Sequence, residues 1–191
     1  MTAEWTTAAP AKDRRVRRSR AALMRAAIDL VDARESANIP VSDLASAADV
    51  SRQVLYLQFG DRDTLLLEAA LDLVRRELLE PLTRLPDGGR ASTLALATHF
   101  AAHRRFYRAM LTSSSAFALT KALTGLFVPL NRRYASLLLT DEQAVDDLAA
   151  FMTGGAAALV NTWVVEGPDP LDPEEFTDRL LRIHPAMAAR R

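Results

Sequence analysis

The stretch that decides the fold runs from Val41 to Leu65 and reads VSDLASAADVSRQVLYLQFGDRDTL. Its first part predicts a short helix, because Leu44, Ala45 and Ala48 fall on one face at helical spacing. The pattern then stops, and Ser51 is a suitable N-cap for a second helix that starts at the next residue. Two short helices that meet at a tight turn form a helix-turn-helix pattern.

The second predicted helix has one face for packing and one face for contact with a partner. Leu55 and Phe59 lie one turn apart and predict the buried face. Arg52 and Gln53 lie near the start of the other face, where Arg can bond guanine bidentately and Gln can bond adenine. This helix is therefore predicted to contact bases in double-stranded DNA. The residues of this helix predicted to contact DNA, with its cap, are Ser51, Arg52, Gln53, Tyr56 and Leu57.

The order and spacing of these residues resemble the N-terminal domain of the tetracycline-repressor (TetR) family of bacterial transcriptional regulators. That signature has an alanine-glycine-valine-serine turn, a leucine-tyrosine pair, a phenylalanine, and a lysine before a leucine. The corresponding residues here are Ala48, Asp49, Val50, Ser51, Leu55, Tyr56, Phe59, Arg62 and Leu65. With the preceding helix, the resemblance covers about residues 17 to 66. Beyond that point it rests only on length and helical content.

Three residues depart from the family pattern. Asp49 replaces the usual turn glycine, Val54 replaces a common threonine, and Gln58 replaces the histidine or tyrosine that often precedes the phenylalanine. Asp tolerates a left-handed backbone better than most residues, although less well than Gly. Val54 lacks a hydroxyl, which removes one possible phosphate contact. The resemblance also implies phosphate contacts by Ser42, Tyr56, Gln58 and Arg62.

A basic arm lies at the start of the first predicted helix. The whole chain is balanced, with 24 basic and 24 acidic residues, so its net charge indicates no polyanionic partner. Between Lys12 and Arg25, however, seven basic residues stand against the single acid Asp13. Beside a helix-turn-helix, phosphate or minor-groove contact is a better interpretation of this arm than a solvated charge run. The predicted contacts are Arg14, Arg15, Arg17 and Arg18.

The chain is helical throughout by pattern, which predicts an all-α protein. The resemblance implies an N-terminal three-helix helix-turn-helix head and a helical-bundle body for ligand binding and dimerisation. We expect a disordered tail over residues 1–11, the DNA-binding domain over 12–60 and the body over 61–191, in which 61–85 form a connecting helix. Other helices are expected at about 14–34, 91–103, 104–112, 115–138, 141–166 and 173–183, and Asp61 and Asp172 are the predicted caps of the connecting helix and the last helix. Gly125 and Pro129 are expected to break or kink the fourth of these.

Large apolar side chains are spread over several helices of the body. They predict either an ordinary core or an apolar cavity for a small hydrophobic effector. Arg104, Arg105 and Arg108 leave an anionic group on that effector possible. The residues predicted to line the cavity are Phe100, His103, Tyr107, Met110, Phe127, Phe151, Asn161 and Trp163.

The last two helices are the predicted dimer interface, because the resemblance implies that they form a four-helix bundle with their symmetry mates. A stretch of small residues from Gly154 to Ala158 allows close helix approach. An apolar stripe follows on the final helix. The predicted interface residues are Gly154, Gly155, Ala158, Trp163, Phe176, Leu180 and Ile183.

The sequence contains one pair of histidines at metal-binding spacing. His99 and His103 lie one turn apart, a spacing that could bind zinc, but Phe100 stands where a zinc protease has Glu. Pocket lining or ordinary surface positions are the favoured interpretation of the pair, so no metal and no cofactor are expected. The sequence also lacks a phosphate-binding glycine loop and a nucleophile elbow, which argues against an enzyme.

The cellular compartment is indicated by weaker signals. The chain has no Cys, which suits a reducing cytoplasm. Its first ten residues lack the pattern of a secretion signal, and no apolar run is expected to approach the roughly 20 residues of a membrane span. A cytoplasmic protein without membrane contact is the expectation.

The favoured hypothesis is a homodimeric, ligand-responsive repressor that binds a palindromic operator and is released by a small hydrophobic effector. Two alternatives belong to other classes of protein. One is a sequence-tolerant architectural DNA-binding protein, which a steep salt dependence without sequence discrimination would favour. The other is a helical metal-dependent enzyme built on His99 and His103, which stoichiometric bound zinc would favour.

Overall fold

The computed structural model describes residues 8–84 and 89–183, and the side chains within these ranges from residue 13 onward. Every regular element in the described ranges is helical, which confirms the all-α prediction. The elements are α1 (Ala8–Arg34), α2 (Val41–Ala47), α3 (Arg52–Phe59), α4 (Arg62–Val74), a π-helical segment (Arg75–Leu79), α5 (Glu80–Leu82), α6 (Arg90–Ala102), α7 (Arg104–Leu111), α8 (Ala116–Ala135), α9 (Glu142–Glu166) and α10 (Pro173–Leu181). We call α1–α3 the head, together with the first two turns of α4 that pack against them, and we call α6–α10 the body. Helix α4 and its extension to Leu82 form the connecting helix.

Three helix starts are fixed by side-chain caps that the sequence predicts. The Ser51 hydroxyl and the Asp61 carboxylate each accept a hydrogen bond from the backbone N–H three residues later, at the starts of α3 and α4. Asp172 accepts from two N–H groups in the first turn of α10. These bonds satisfy donors that a helix start otherwise leaves unpaired, so local chemistry sets the boundaries.

One predicted boundary is wrong, and of the two outcomes predicted at Gly125 and Pro129, a break or a kink, the break does not occur. Helix α1 begins at Ala8, so residues 8–11 are helical rather than a disordered tail, while residues 1–7 lie outside the described ranges. Helix α8 runs without a break through Gly125 and Pro129. Both residues are exposed, so the Gly125 carbonyl that loses its partner to the proline can bond water instead.

The head has a closed core. Leu23 of α1, Leu44 of α2, Leu55 of α3 and Leu65 of α4 are fully buried together. The turn between α2 and α3 contains Asp49 at φ 52°, the left-handed conformation that glycine usually supplies. An aspartate serves there because its short polar side chain tolerates this conformation better than most.

The body is built on two long helices, α8 and α9, which pack against each other, while α10 packs on α6 and α1 packs on α4 and α7. Trp163 of α9 stacks on Phe176 of α10 with ring centres 4.1 Å apart and planes 8° apart. This contact holds the last two helices of the body together. The packing of α1 against both α4 and α7 connects the head to the body through helices rather than through loops.

Helix α9 is unusually apolar for its exposure. An 18-residue window within Glu142–Glu166 has a mean hydropathy of 1.5, and only 28% of that window is buried. By length and composition alone it could cross a membrane, so the expectation that no apolar run would reach such a length is wrong. From Ala150 to Ala158 the exposed positions of α9 carry small and apolar residues, which leaves this part of the helix uncovered within the described chain.

Candidate nucleic-acid interface and body cavity

The outer face of α3 is free of the head core. Arg52 and Gln53 are exposed, Tyr56 retains 51% of its accessible surface, and Leu57 retains 84%. Leu55 faces the opposite way and is fully buried. The predicted division of this helix into a packing face and an outer face is therefore the one that the structure has.

Gln58 does not share that outer face. Its Nε2 donates a hydrogen bond of 2.6 Å to the hydroxyl of Ser19 on α1. Its Oε1 is buried and has no hydrogen-bond partner among the described residues. The predicted phosphate contact by Gln58 does not fit this geometry, because the side of α3 that carries Gln58 packs against α1. Sequence spacing alone did not reveal that packing.

Arg20 is also directed inward, although it belongs to the basic run of the sequence. Its Nη1 donates to the main-chain carbonyl of Gln58 over 3.2 Å, and its guanidinium forms an ion pair with Glu68 of α4. The guanidinium carbon lies 4.3 Å from the centre of the Phe59 ring, a cation–π distance. Arg20 thus joins three helices of the head and is not available to a phosphate in this arrangement.

The remaining arm residues are exposed on α1. Arg14, Arg15 and Arg18 are exposed, and Arg17 pairs with Asp13 one turn earlier at 2.8 Å. An exposed pair of this kind contributes little to stability, so Arg17 can exchange its partner for a phosphate at small cost.

Ser42 and Arg62 each bond a neighbouring residue. The Ser42 hydroxyl donates to Asp43 over 3.1 Å, and the hydrogen bonds from Arg34 and Ser42 lower the pKa of the Asp43 carboxyl. Arg62 donates to the side chain of Asn38 over 2.8 Å and to its neighbour Asp63 over 2.7 Å. A phosphate at Arg62 would have to compete with these two acceptors.

A cavity of about 330 Å³ lies in the body between α6, α8, α9 and α10. Of the residues predicted to line it, Phe100, Phe127, Phe151 and Asn161 do so. The wall is largely apolar, and its polar groups are few. One of them is the Asn161 amide, whose Nδ2 donates to the Thr120 hydroxyl over 3.2 Å.

Four predicted lining residues do not reach this cavity. Tyr107 and Met110 are fully buried in the core, where the cavity does not extend. Trp163 is 7% exposed and lies under Phe176, and His103 bonds to the connecting helix instead. Helical spacing placed these residues in the body but could not show which side of each helix met a neighbouring helix.

The predicted dimer residues divide into two groups. Trp163 and Phe176 are buried against each other within one chain, so their assignment to an interface between chains is wrong. Leu180 is half-buried and lines the cavity. The predicted residues that remain exposed are Gly154, Gly155, Ala158 and Ile183.

Two large exposed side chains were missed as interface candidates. Phe151 retains 66% of its surface and Phe117 of α8 retains 80%. Phe151 precedes Gly154, Gly155 and Ala158 at helical spacing, so the same periodicity that placed them on one face could have included it.

A cluster of titratable side chains lies where the connecting helix meets the body. The buried His99 ring bonds through Nε2 to the Tyr107 hydroxyl at 2.8 Å, and His103 Nε2 lies 2.7 Å from a carboxylate oxygen of Glu77. Burial, with a smaller contribution from His103, lowers the pKa of His99 to about 4. Burial also raises the pKa of the Tyr107 hydroxyl. His99 is therefore neutral at physiological pH.

The comparisons with known proteins bear first on the head. Residues 23–69 match the family model described as "Bacterial regulatory proteins, tetR family". This range contains the helix-turn-helix and the start of the connecting helix. The comparison with curated proteins gave no match.

Solved structures extend the likeness over most of the chain. The dihydroxyacetone kinase operon activator DhaS is 15% identical, covers 88% of this chain and 95% of its own, and superposes with a TM-score of 0.58. AlkX, a TetR family repressor from Dietzia sp. strain DQ12-45-1b, is 22% identical with a TM-score of 0.54 and coverages of 88% and 95%. NalD, the secondary repressor of the MexAB-OprM multidrug efflux pump in Pseudomonas aeruginosa, is 20% identical with a TM-score of 0.53 and coverages of 86% and 92%. At such identities the likeness establishes the fold.

Proposed function

We propose that this chain, whose residues 23–69 match the TetR family model, is a homodimeric DNA-binding repressor that a small hydrophobic molecule releases from a palindromic operator. The observation that carries the proposal is the outer face of α3. Arg52, Gln53, Tyr56 and Leu57 are exposed there while the helix is anchored by its other side. A helix that is anchored by one side and exposed on the other can enter the major groove of DNA.

The chemistry of this face favours base contacts. A guanidinium at Arg52 can bond the O6 and N7 atoms of guanine, and the Gln53 amide can bond adenine. Leu57 is a large apolar side chain with 84% of its surface in water, and an apolar contact with a thymine methyl group would remove part of that surface. The exposed arginines of α1 would contact phosphates or the minor groove, which positions the head without specifying sequence.

The uncovered face of α9 supports a dimer. Phe151, Gly154, Gly155 and Ala158 are exposed on one side of this helix, and Phe117 is exposed on the neighbouring α8. A second copy related by a two-fold axis would cover this face with the same face of its own. Two heads joined in this way can bind successive major grooves if their recognition helices lie about 34 to 36 Å apart.

The body cavity supports control by a small apolar molecule. Its volume of about 330 Å³ lies within the usual range for ligand sites, and its wall combines apolar side chains with a few amides and hydroxyls. Phe151 and Gly155 line the cavity and also belong to the exposed face of α9. A ligand that binds one spacing of the two heads better shifts the population toward that spacing, and DNA must weaken ligand binding by the same factor.

Selection of DNA fragments by the purified protein tests the DNA-binding proposal. We expect a palindromic consensus, with Arg52→Ala and Gln53→Ala each reducing discrimination at particular positions by about 1 to 3 kcal/mol. Arg179→Ala and Gln143→Ala, at exposed positions of the body, are matched controls that should leave the consensus unchanged. An unaltered consensus for both α3 variants would refute the assignment of the recognition helix. Steeply salt-dependent binding without any consensus would indicate an architectural DNA-binding protein instead.

A second experiment tests the cavity with a panel of small apolar compounds. A compound that binds should release the selected DNA at the same concentrations. Ala157→Leu adds volume at the cavity wall and should weaken compound binding by at least about tenfold, or 1.4 kcal/mol. Ala91→Leu, at an exposed position of α6 that does not line the cavity, is the control and should bind as the wild type does. Binding that leaves DNA affinity unchanged would show that the cavity is not the control site.

A further inference from the structure

Three side chains from two parts of the chain meet outside both the DNA face and the cavity. Glu77 belongs to the π-helical segment of the connecting helix, His99 to the last turn of α6, and His103 to the corner between α6 and α7. One ligand atom from each lies within 4.8 Å of the ligand atoms of the other two. The sequence showed only the histidine pair, because Glu77 reaches it through the packing of the connecting helix on the body.

This set of donors matches the preference of a borderline transition metal. Zinc binds imidazole nitrogen at about 2.0–2.1 Å and carboxylate oxygen at about 2.0–2.2 Å, usually in a tetrahedron. Two such ligands are then separated by roughly 3.4 Å from each other. In the structure, His103 Nε2 lies 2.7 Å from a carboxylate oxygen of Glu77, and the three ligand atoms all lie within 4.8 Å of one another. Small side-chain rotations would therefore bring all three atoms to the distances that the ion requires.

Neighbouring side chains hold the ring of the buried His99 in one orientation. The Tyr107 hydroxyl bonds to His99 at 2.8 Å, and the Phe100 ring meets the imidazole edge-on with centres 5.4 Å apart. Hydrogen-bonding groups around a metal site commonly fix the ring of a ligating histidine in this way. Partial exposure of His103 and Glu77 leaves an entrance for the ion and room for a water as fourth ligand.

The arginines next to these ligands in the sequence are engaged elsewhere. Arg76 donates to Asp72 over 2.7 Å. Arg104 is directed to α9 and the residues after it, where it donates to the carbonyls of Val164 over 3.1 Å and Pro168 over 2.7 Å. Neither guanidinium needs the Glu77 carboxylate for its own bonding, which leaves that carboxylate to His103 or to a cation.

We propose that Glu77, His99 and His103 bind one divalent transition-metal ion of the zinc class, and that its occupancy changes the affinity for DNA. Two histidines of the body and one carboxylate of the connecting helix would share the ion, so binding joins the two across their contact. The π-helical segment that carries Glu77 is a form of helix frequently found at functional sites. Because α4 continues into the head, fixing its far end would bias the positions that the recognition helices can take. The inferred effect on DNA affinity rests on the proposed function.

Zinc titration of the full-length protein in metal-free buffer, by calorimetry and by competition with a chromophoric chelator, tests the site. We expect one zinc per chain and a thermal midpoint that rises with zinc concentration. Glu77→Gln and His103→Gln each remove a ligand while keeping the size of the side chain and a hydrogen-bonding group. Since loss of an outer-shell partner alone costs about 10- to 100-fold in affinity, loss of a ligand should weaken zinc binding by more than about 100-fold.

Two controls separate this site from adventitious binding. Glu80→Gln changes an exposed carboxylate in the same stretch of helix, and His184→Gln changes the remaining histidine of the chain, outside the described residues. Both should bind zinc as the wild type does. Absence of a stoichiometric site in the wild type, or zinc binding that survives both Glu77→Gln and His103→Gln, would overturn the assignment.

The regulatory part is tested with the DNA that the selection experiment yields. Zinc should change its affinity in the wild type and leave it unchanged in Glu77→Gln and His103→Gln. Equal DNA affinity with and without zinc in a wild type that binds the ion would overturn the regulatory part alone. Failure to bind zinc together with intact binding to a palindrome would overturn the metal site and leave the proposed function standing. Absence of any DNA consensus would refute the proposed function instead, whatever the zinc result.

Discussion

The head and the body differ in how completely one chain buries its apolar surface. In the head, four helices meet around fully buried leucines such as Leu44 and Leu55, and one leucine on the outside, Leu57, is strongly exposed. In the body, the most apolar helix, α9, has a window of which only 28% is buried, and Phe151 on it retains 66% of its surface. In the proposed function, DNA would cover the outer face of the head, whereas a second copy of the chain would cover the apolar face of the body. A polar, positively charged face suits DNA, and an apolar face suits a second copy of the chain.

The strongest test of this difference adds a charge to the uncovered face of the body. Ala158→Arg should produce monomers, because an isologous interface would bring the new charge close to its symmetry mate. Since a second head then no longer binds with the first, affinity for a palindrome should fall by about 10² to 10⁴-fold. Sedimentation and DNA titration measure the two effects. Ala91→Arg, on an exposed site of α6, should change neither, and a persistent Ala158→Arg dimer would contradict the proposed interface.

The closed core of the head is tested by truncating leucines on opposite sides of α3. Leu55 is fully buried, so Leu55→Ala should cost about 2 to 5 kcal/mol in the free energy of unfolding. Leu57→Ala removes the same atoms from a site that is 84% exposed and should cost less than about 0.5 kcal/mol. Denaturant unfolding compares the two variants. Similar losses would show that α3 does not have the two faces assigned to it.

The basic residues of α1 also have two different surroundings. Arg20 packs against other helices of the head, whereas residues such as Arg14 are exposed. Arg20→Ala removes an ion pair, a hydrogen bond and a cation–π contact, and should cost about 1 to 2 kcal/mol in unfolding free energy. Arg14→Ala should leave stability unchanged but reduce the salt slope of DNA binding by about one. Stability and salt-dependent DNA titrations of both variants check this. A loss of stability in Arg14→Ala, or none in Arg20→Ala, would reverse the assignment.

The smallest expected effect concerns the cap that starts the connecting helix. Asp61→Ala should cost about 1 kcal/mol, whereas Asp61→Asn can retain the hydrogen bond to the backbone N–H of Thr64. That bond lowers the pKa of the Asp61 carboxyl in the folded state. The charged cap therefore stabilises the protein above the ordinary aspartate pKa of about 4, and this contribution is lost as the pH falls through the lower folded pKa. The unfolding free energies of the wild type and of Asp61→Asn should accordingly converge as the pH is lowered. A difference that stays constant with pH would argue against a charged cap.

Local features of this chain were predictable because they depend on neighbours in sequence. Ser51, Asp61 and Asp172 were identified as caps, and each bonds a backbone N–H two or three residues along the chain. The two faces of α3 follow from helical periodicity in the same way. The prediction of the turn at Asp49 used the same local logic, and the residue has the expected left-handed backbone.

The candidate sites were predicted less completely, because helical spacing assigns a residue to a helix face without identifying the helix that covers it. Gln58 was expected to contact a phosphate. It donates a hydrogen bond to Ser19 instead, because α1 lies against that side of α3. Trp163 was expected between subunits and in the effector site, and instead stacks on Phe176 within one chain. Four of the eight predicted effector residues line the cavity. They are the ones that lie on the sides of α6, α8 and α9 that border it.

The sequence by itself therefore determined the helices, their capped starts and the helix-turn-helix, since hydrogen bonds and periodicity within a few residues decide them. Only the tertiary structure decided which polar groups point inward, where the cavity lies, and that Glu77 meets His99 and His103. Glu77 lies on the connecting helix and the two histidines lie at the end of α6, so the distance between them depends on how these helices cross. Crossing is fixed by the packing of many side chains at once, and no short stretch of sequence encodes it.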